Sequence, residues 1–198
     1  MGRQSVGFVS IGRSIFPVIK VTDDQQIARA EGRNNPLITE ELAAGIVVCF
    51  VRETVENLEL VTEAHLEPYL MKREDIVKSA RRNLAERVRD SARIRTINPE
   101  SGGGPFFRAI LDKKFETSLM VVDEFWELAA EWMQSSDFVV SIPARNMLYF
   151  ADKNKPESIH AMRQEADKAY ENGSADELQL THNMYIRENG DWILFQPL

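Results

Sequence analysis

Residues 137–153 read DFVVSIPARNMLYFADK. Two apolar, β-prone runs, 138–142 and 147–151, flank a Pro-Ala-Arg-Asn turn, and a polar segment closes the second run. The stretch predicts a pair of neighbouring strands and is the clearest fold signal in the chain. It carries no catalytic motif.

Just before it lies the strongest helical pattern. Phe115, Leu119, Val122, Trp126, Ala129 and Met133 recur at spacings of 4-3-4-3-4, and Val121, Phe125, Leu128 and Trp132 run beside them at 4-3-4. Two adjacent stripes make a broader apolar surface than one sheet contact needs. The pattern predicts a helix over 115–133, lying across the sheet that holds both arms around Pro143 or partly covered by a partner. Trp126 and Trp132 are the candidate partner-binding residues on it. Asp123, Glu124, Glu127 and Glu131 give the same helix an acidic edge, read as a solvated face or as a surface for a basic partner.

Downstream, Ser158–Tyr170 reads as a helix with Ile159, Met162, Ala166 and Ala169 as its apolar side and Gly173 as its stop. Residues 180–187 and 191–195 form a last hairpin, with Asn189-Gly190 suited to a type I′ turn. Upstream, Ile15–Val21 is a short strand that Pro17 confines to an edge or a start. Residues 23–30 fit one or two helical turns, and 32–36 a turn. IVVCFV within 42–53 is a firm strand, with 58–61 as its hairpin partner. Thr62 opens a helical signal in which His65 stands where a capping box needs Glu or Gln. Pro68 fits inside a helix only at a cost. A longer helix runs from Lys72 or Arg73 to about Arg89 with the stripe Val77, Ala80, Leu84 and Val88. Residues 92–97 alternate only loosely, 99–105 form a loop, and 106–111 a strand. The chain is thus expected to be α+β: residues 1–14 a flexible or strand-like arm, and 15–198 a single domain. Its mostly antiparallel sheet would carry the 73–89 and 115–133 helices on one face and end in a C-terminal β-hairpin.

Hydrophobic residues make up 43% of the 198 and charged residues 28%, ordinary values for a globular protein. No apolar run is long enough for a membrane span, and the N-terminus has neither a signal-peptide core nor the Ser or Thr that myristoylation needs. The reading is a cytoplasmic protein without membrane insertion. The lone Cys49 allows no intrachain disulfide and sits in an apolar run, as a small buried hydrophobe would. The formal charge is -7, yet residues 72–95 carry nine basic and four acidic side chains. The acidic total argues against a dedicated nucleic-acid binder, because phosphate contacts need concentrated positive charge. Arg81 and Arg82, with Lys78 and Arg89, leave weak RNA or anionic-surface binding as an alternative. No aromatic residue is interleaved among them to stack bases.

Local motifs for chemistry are sparse. His65, His160 and His182 form no close ligand pair, so neither metal nor cofactor is expected. Gly102-Gly103-Gly104 precedes Pro105 and a β-prone run, where a phosphate-binding loop would lead into a helix. Arg145 and Asn146 sit at a strand-to-strand turn, where a guanidinium fork on a rigid base can hold a carboxylate or phosphate. They are the best single polar patch.

Ile142-Pro143-Ala144-Arg145-Asn146-Met147-Leu148 resembles the V-P-x-R/Q-D-V-L pattern near the C-terminus of the YtpQ-like family, the DUF1444 group of uncharacterised bacterial proteins, with Asn146 where Asp is common. SIFPVIK at 14–20, IVVCFVRETVENLELVTEAHLE at 46–67, REDIVKSARRNLAERV at 73–88 and FETSLMVVDEFWE at 115–127 resemble further family segments in the same order. The resemblance spans about 170 of the 198 residues. Members are often longer at the N-terminus. It implies a mixed α+β fold and brings no activity, substrate or catalytic residue. The functional expectation is a non-enzymatic accessory or protein-binding module, with an unknown protein or a second copy as partner. An enzyme with a long-range site near Arg145, His160 and His182 is the alternative.

Overall fold

A computed structural model describes residues 12–33, 35–67, 71–100, 102–172, 179–188 and 190–196. Most of the N-terminal arm, Pro68, Gly173 and Asn189, all invoked above, lie outside the described residues. The α+β class, the antiparallel pairing and the C-terminal hairpin are as expected. The strands, however, make two sheets where the sequence pattern suggested one. The chain divides into two compact units, the first drawn from residues up to 87 and the second from 88 onward together with 42–44.

In the first unit the order is β1 (Ile15–Val21), β3 (Ile46–Glu53), β2 (Thr39–Ala43), with β4 (Leu58–Leu60) also paired to β3. Pro17 lies on an edge strand, where its missing N–H orphans no neighbour. The apolar run of β3 is the inner strand, and its Ile46, Val48, Cys49, Phe50 and Val51 are buried. Helix α1 (Gln25–Gly32) starts at Asp24, whose Oδ1 accepts the Gln26 N–H at 2.7 Å. The Thr62 start does have a capping box. The His65 Nδ1 accepts the Thr62 N–H at 3.0 Å, doing the work of a Glu or Gln, and the turn it opens is a short 3-10 one, Glu63–His65.

Helix α2 (Arg73–Ser91) buries Ile76, Ala80, Asn83, Leu84 and Val88. The stripe is rotated from the expected one: Ile76 replaces Val77, which is only half-buried, and a polar residue, Asn83, joins the buried side.

The second unit is a six-stranded antiparallel sheet in the order β10 (Asp191–Leu194), β9 (Met184–Glu188), β7 (Phe138–Ala144), β8 (Met147–Asp152), β6 (Phe106–Ile110), β5 (Arg93–Ile97). Every residue of β7 is buried. The reason is a helix on each face, so that both alternating sets of side chains enter a core. Helix α4 (Pro156–Glu171) lays Ala161, Met162 and Ala166 on Val139, Tyr149, Ala151, Met184 and Ile186. On the opposite face, Phe125 and Trp126 of α3 (Asp123–Met133) meet Phe138, Phe150 and Trp192, with ring centroids 5.0 to 5.9 Å apart.

Pro143 lies within β7, and the turn itself is only Arg145-Asn146. Neither turn residue has a positive φ, so the tight turn lacks the twist-matched I′ form. An irregularity in the pairing between Ser141 and Ala144 takes up the mismatch, and Pro143 sits there without a ladder N–H to lose.

The helix expected over 115–133 is broken. Thr117–Val121 forms a 3-10 turn, Val122 is extended at φ -121, and α3 begins only at Asp123. The adjacent β-branched Val121 and Val122 resist helix, while Asp123 and Glu124 favour an N-terminus. The hydrophobic pattern survives the break because Phe115, Leu119, Val122, Trp126 and Ala129 all remain buried. The Trp126 indole N–H donates to the Leu119 carbonyl at 2.9 Å, pinning the 3-10 turn to the helix.

Candidate functional site

The two stripes of α3 have different fates. Trp126 is 2% exposed and belongs to the core, so it offers nothing to a partner. On the second stripe Phe125 is buried, but Leu128 and Trp132 are 39% and 57% exposed. They stand at i and i+4, one above the other on the helix surface. At about 100° per residue, Glu124, Glu127 and Glu131 occupy the strip beside them, and all three are exposed. Asp123, at the helix start, pairs with Arg187 of β9. The outer side of α3 is therefore an apolar step, Leu128 to Trp132, bordered by carboxylates. The helix stops at Gln134, which takes the left-handed φ of 55°.

Arg145 and Asn146 are half-buried at the β7–β8 turn. The Arg145 carbonyl accepts the Thr117 hydroxyl at 3.1 Å, so the turn rests on the 3-10 segment. That segment is more polar than its place in an apolar pattern suggested. Glu116, Thr117 and Ser118 are 2%, 1% and 1% exposed. Glu116 Oε1 accepts the N–H groups of Leu111 and Lys113 at 3.1 and 2.7 Å, organising the loop before it. Sequence reasoning missed this group because a Glu at one end of a helical repeat looks like a solvated one.

The histidines are held locally. His160 Nε2 lies 3.0 Å from the Gln164 side-chain nitrogen on α4. His182 Nδ1 is 3.1 Å from Asp167 Oδ1 and its ring centroid is 3.7 Å from that of Tyr170. Among the described residues no three His, Cys, Asp or Glu side chains gather as a metal site would need.

Two clefts lie in the first unit, and neither is lined by Arg145, His160 or His182. The smaller, about 30 Å³, has Ile15, Val61 and Ile76 on its walls with His65 and the Arg52–Glu59 ion pair. The larger, about 500 Å³, is lined by Glu40, Arg73, Glu74, Val77, Lys78 and Arg81. Two of its three basic groups are engaged: Arg81 pairs with Glu40 at 3.1 Å, and Arg73 reaches Glu63 at 3.8 Å. Arg82 is exposed a quarter turn away and does not join this cleft.

No family model, curated protein or solved structure matches this chain. No described helix is long and apolar enough to cross a membrane.

Proposed function

We propose that this chain is a non-enzymatic protein-binding module that docks its partner on the outer side of α3. The observation that supports the reading is Trp132, a large aromatic more than half exposed on a helix whose other aromatics are buried. Exposed Trp is a frequent centre of interface energy, since it covers much area with little rotamer freedom to lose. Leu128 extends the apolar contact by one helical turn. The bordering glutamates suit a partner helix with aliphatic side chains flanked by Lys or Arg, and they disfavour acidic competitors.

A photo-crosslinking amino acid placed at Leu128 tests this, with the same group at the exposed Glu165 of α4 as control. The expected result is an adduct specific to position 128 in the native cell, reduced by Trp132→Ala. An adduct of twice the chain's mass would identify a second copy as the partner. Equal labelling from both positions, or none from 128, would end the proposal.

A further inference from the structure

A second surface, independent of α3, lies at the other side of the six-stranded sheet. Strand β5 is an edge: it pairs with β6, and the main-chain groups it turns outward have no partner among the described residues. Its side chains alternate, which puts Arg93 and Arg95 on one face and Ile94 and Thr96 on the other. Both arginines are exposed. The register sets Arg95 directly opposite Arg108 of β6. Arg108 in turn lies opposite Tyr149 of β8, with its guanidinium carbon 5.9 Å from that ring.

Three arginines thus share one face at an edge, and none has an ion pair among the described residues; the Arg93 Nη1 donates to the neighbouring Ala92 carbonyl at 2.8 Å. Like charges directly opposite one another weaken a ladder unless an anion is shared between them. Charged edges commonly serve to repel a further strand. That role is met by a single charge on the edge itself and gives no reason for a third arginine on the inner neighbour β6. Charge of one sign on one face discriminates: it rejects neutral and basic strands and favours a strand with carboxylates at alternate positions. Tyr149 is 4% exposed, so no aromatic face is offered for stacking bases, which disfavours single-stranded nucleic acid.

We propose that β5 is a docking edge for an extended acidic segment of a partner protein, which adds a seventh strand to the sheet and places Asp or Glu at i and i+2 against Arg93, Arg95 and Arg108. Main-chain hydrogen bonds to β5 supply the pairing, and the alternating carboxylates fix register and identity. The apolar or β-branched residues between them fall on the face of Ile94 and Thr96.

The test is fluorescence anisotropy of the full chain with a labelled peptide of alternating Glu and Val. Binding is expected to weaken with added salt and to fall roughly tenfold or more in the Arg93→Glu/Arg95→Glu double variant. That variant should instead take up an alternating Lys–Val peptide, which also shows that it is folded. A Glu–Val peptide N-methylated along its pairing edge keeps its charge and should not bind. Amide exchange across 93–97 should slow when the unmodified peptide is present. The proposal is overturned if the peptide does not bind, if the methylated peptide binds equally well, or if the double variant binds the acidic peptide as wild type does. An oligouridylate that binds where the peptide does not would overturn it in favour of nucleic acid. Should the double variant fail to fold, the methylated peptide on wild type still decides.

Discussion

The Asn83 side-chain amide donates to two main-chain carbonyls, Gly12 at 2.6 Å and Ile15 at 2.9 Å. One polar residue on the buried side of α2 thereby fastens the start of β1. Asn83 is 7% exposed, so water does not readily replace it. Asn83→Ala leaves these carbonyls without their donor and should destabilise by about 1–3 kcal/mol. Asn83→Asp, which supplies acceptors where donors are needed, should cost more. Arg82→Ala, on the neighbouring exposed position, should change stability by less than about 0.5 kcal/mol. Chemical denaturation followed by circular dichroism measures all three, and equal effects of Arg82→Ala and Asn83→Ala would remove the argument.

The triple glycine has a packing role, which its resemblance to a generic loop concealed. A Cβ at Gly104 would lie 2.3 Å from Ser158 Oγ and 2.8 Å from the Ser158 main-chain nitrogen. The loop therefore runs against the first turn of α4 at a distance only glycine permits. Gly104→Ala should cost about 1–3 kcal/mol or more through forced backbone movement. Adding Ser158→Ala should not restore the loss, because the main-chain contact remains. Gly102 meets nothing within 4 Å but holds φ +84, so Gly102→Ala is expected to cost only about 1–2 kcal/mol. Thermal unfolding of the three variants gives the order, and full rescue by Ser158→Ala would refute the backbone account.

Short-range features were legible because their physics is local. The apolar runs of β3, β7 and β8, the edge placement forced by Pro17 and the helix after residue 156 each depend on a few consecutive residues. Long-range pairing left no comparable trace. That β9 joins β7, and β6 joins β8, is decided by partners dozens of residues apart, so the strand order of the six-stranded sheet was not legible. The continuous 4-3-4 pattern over 115–133 concealed the break at Val122, because a 3-10 turn can bury the same residues as a helix. Trp126 and Trp132 looked equivalent on neighbouring stripes, and only the sheet beneath decided which one was covered. The opposition of Arg95 and Arg108 needed a register that spans a loop of unpredicted geometry.

The three tryptophans should separate in a quenching experiment. Trp126 and Trp192 are 2% and 5% exposed, and their indole N–H groups donate to the carbonyls of Leu119 and Met120, each at 2.9 Å. Trp132 is the exposed one. Iodide should quench one red-shifted component of the emission, and Trp132→Phe should abolish that component with little change in stability. Trp126→Ala should cost about 3–5 kcal/mol, the usual loss for a buried large aromatic. Iodide quenching that persists in Trp132→Phe would mean that α3 does not sit on the sheet as described.

Cys49 is fully buried on β3, and burial pushes its thiol from 9.0 up to about 11, with nearby Lys20 opposing and Asp24 assisting. In the unfolded chain the thiol ionises near its ordinary value, while in the native state it keeps its proton until higher pH. The resulting stability is whole below about pH 9 and is lost as pH climbs toward 11. Within that window the loss is about 1.4 kcal/mol per pH unit. Cys49→Ala carries a constant penalty for the removed sulfur but lacks the ionisation, so wild type and variant should converge with rising pH in urea titrations. Parallel curves would show that the native thiol ionises as freely as the unfolded one. The same burial makes the native thiol inert to a disulfide reagent, since the thiolate is the nucleophile and it is suppressed here. Reaction should then proceed only at the rate of opening, and rapid labelling of the folded chain would contradict both the burial and the pH window.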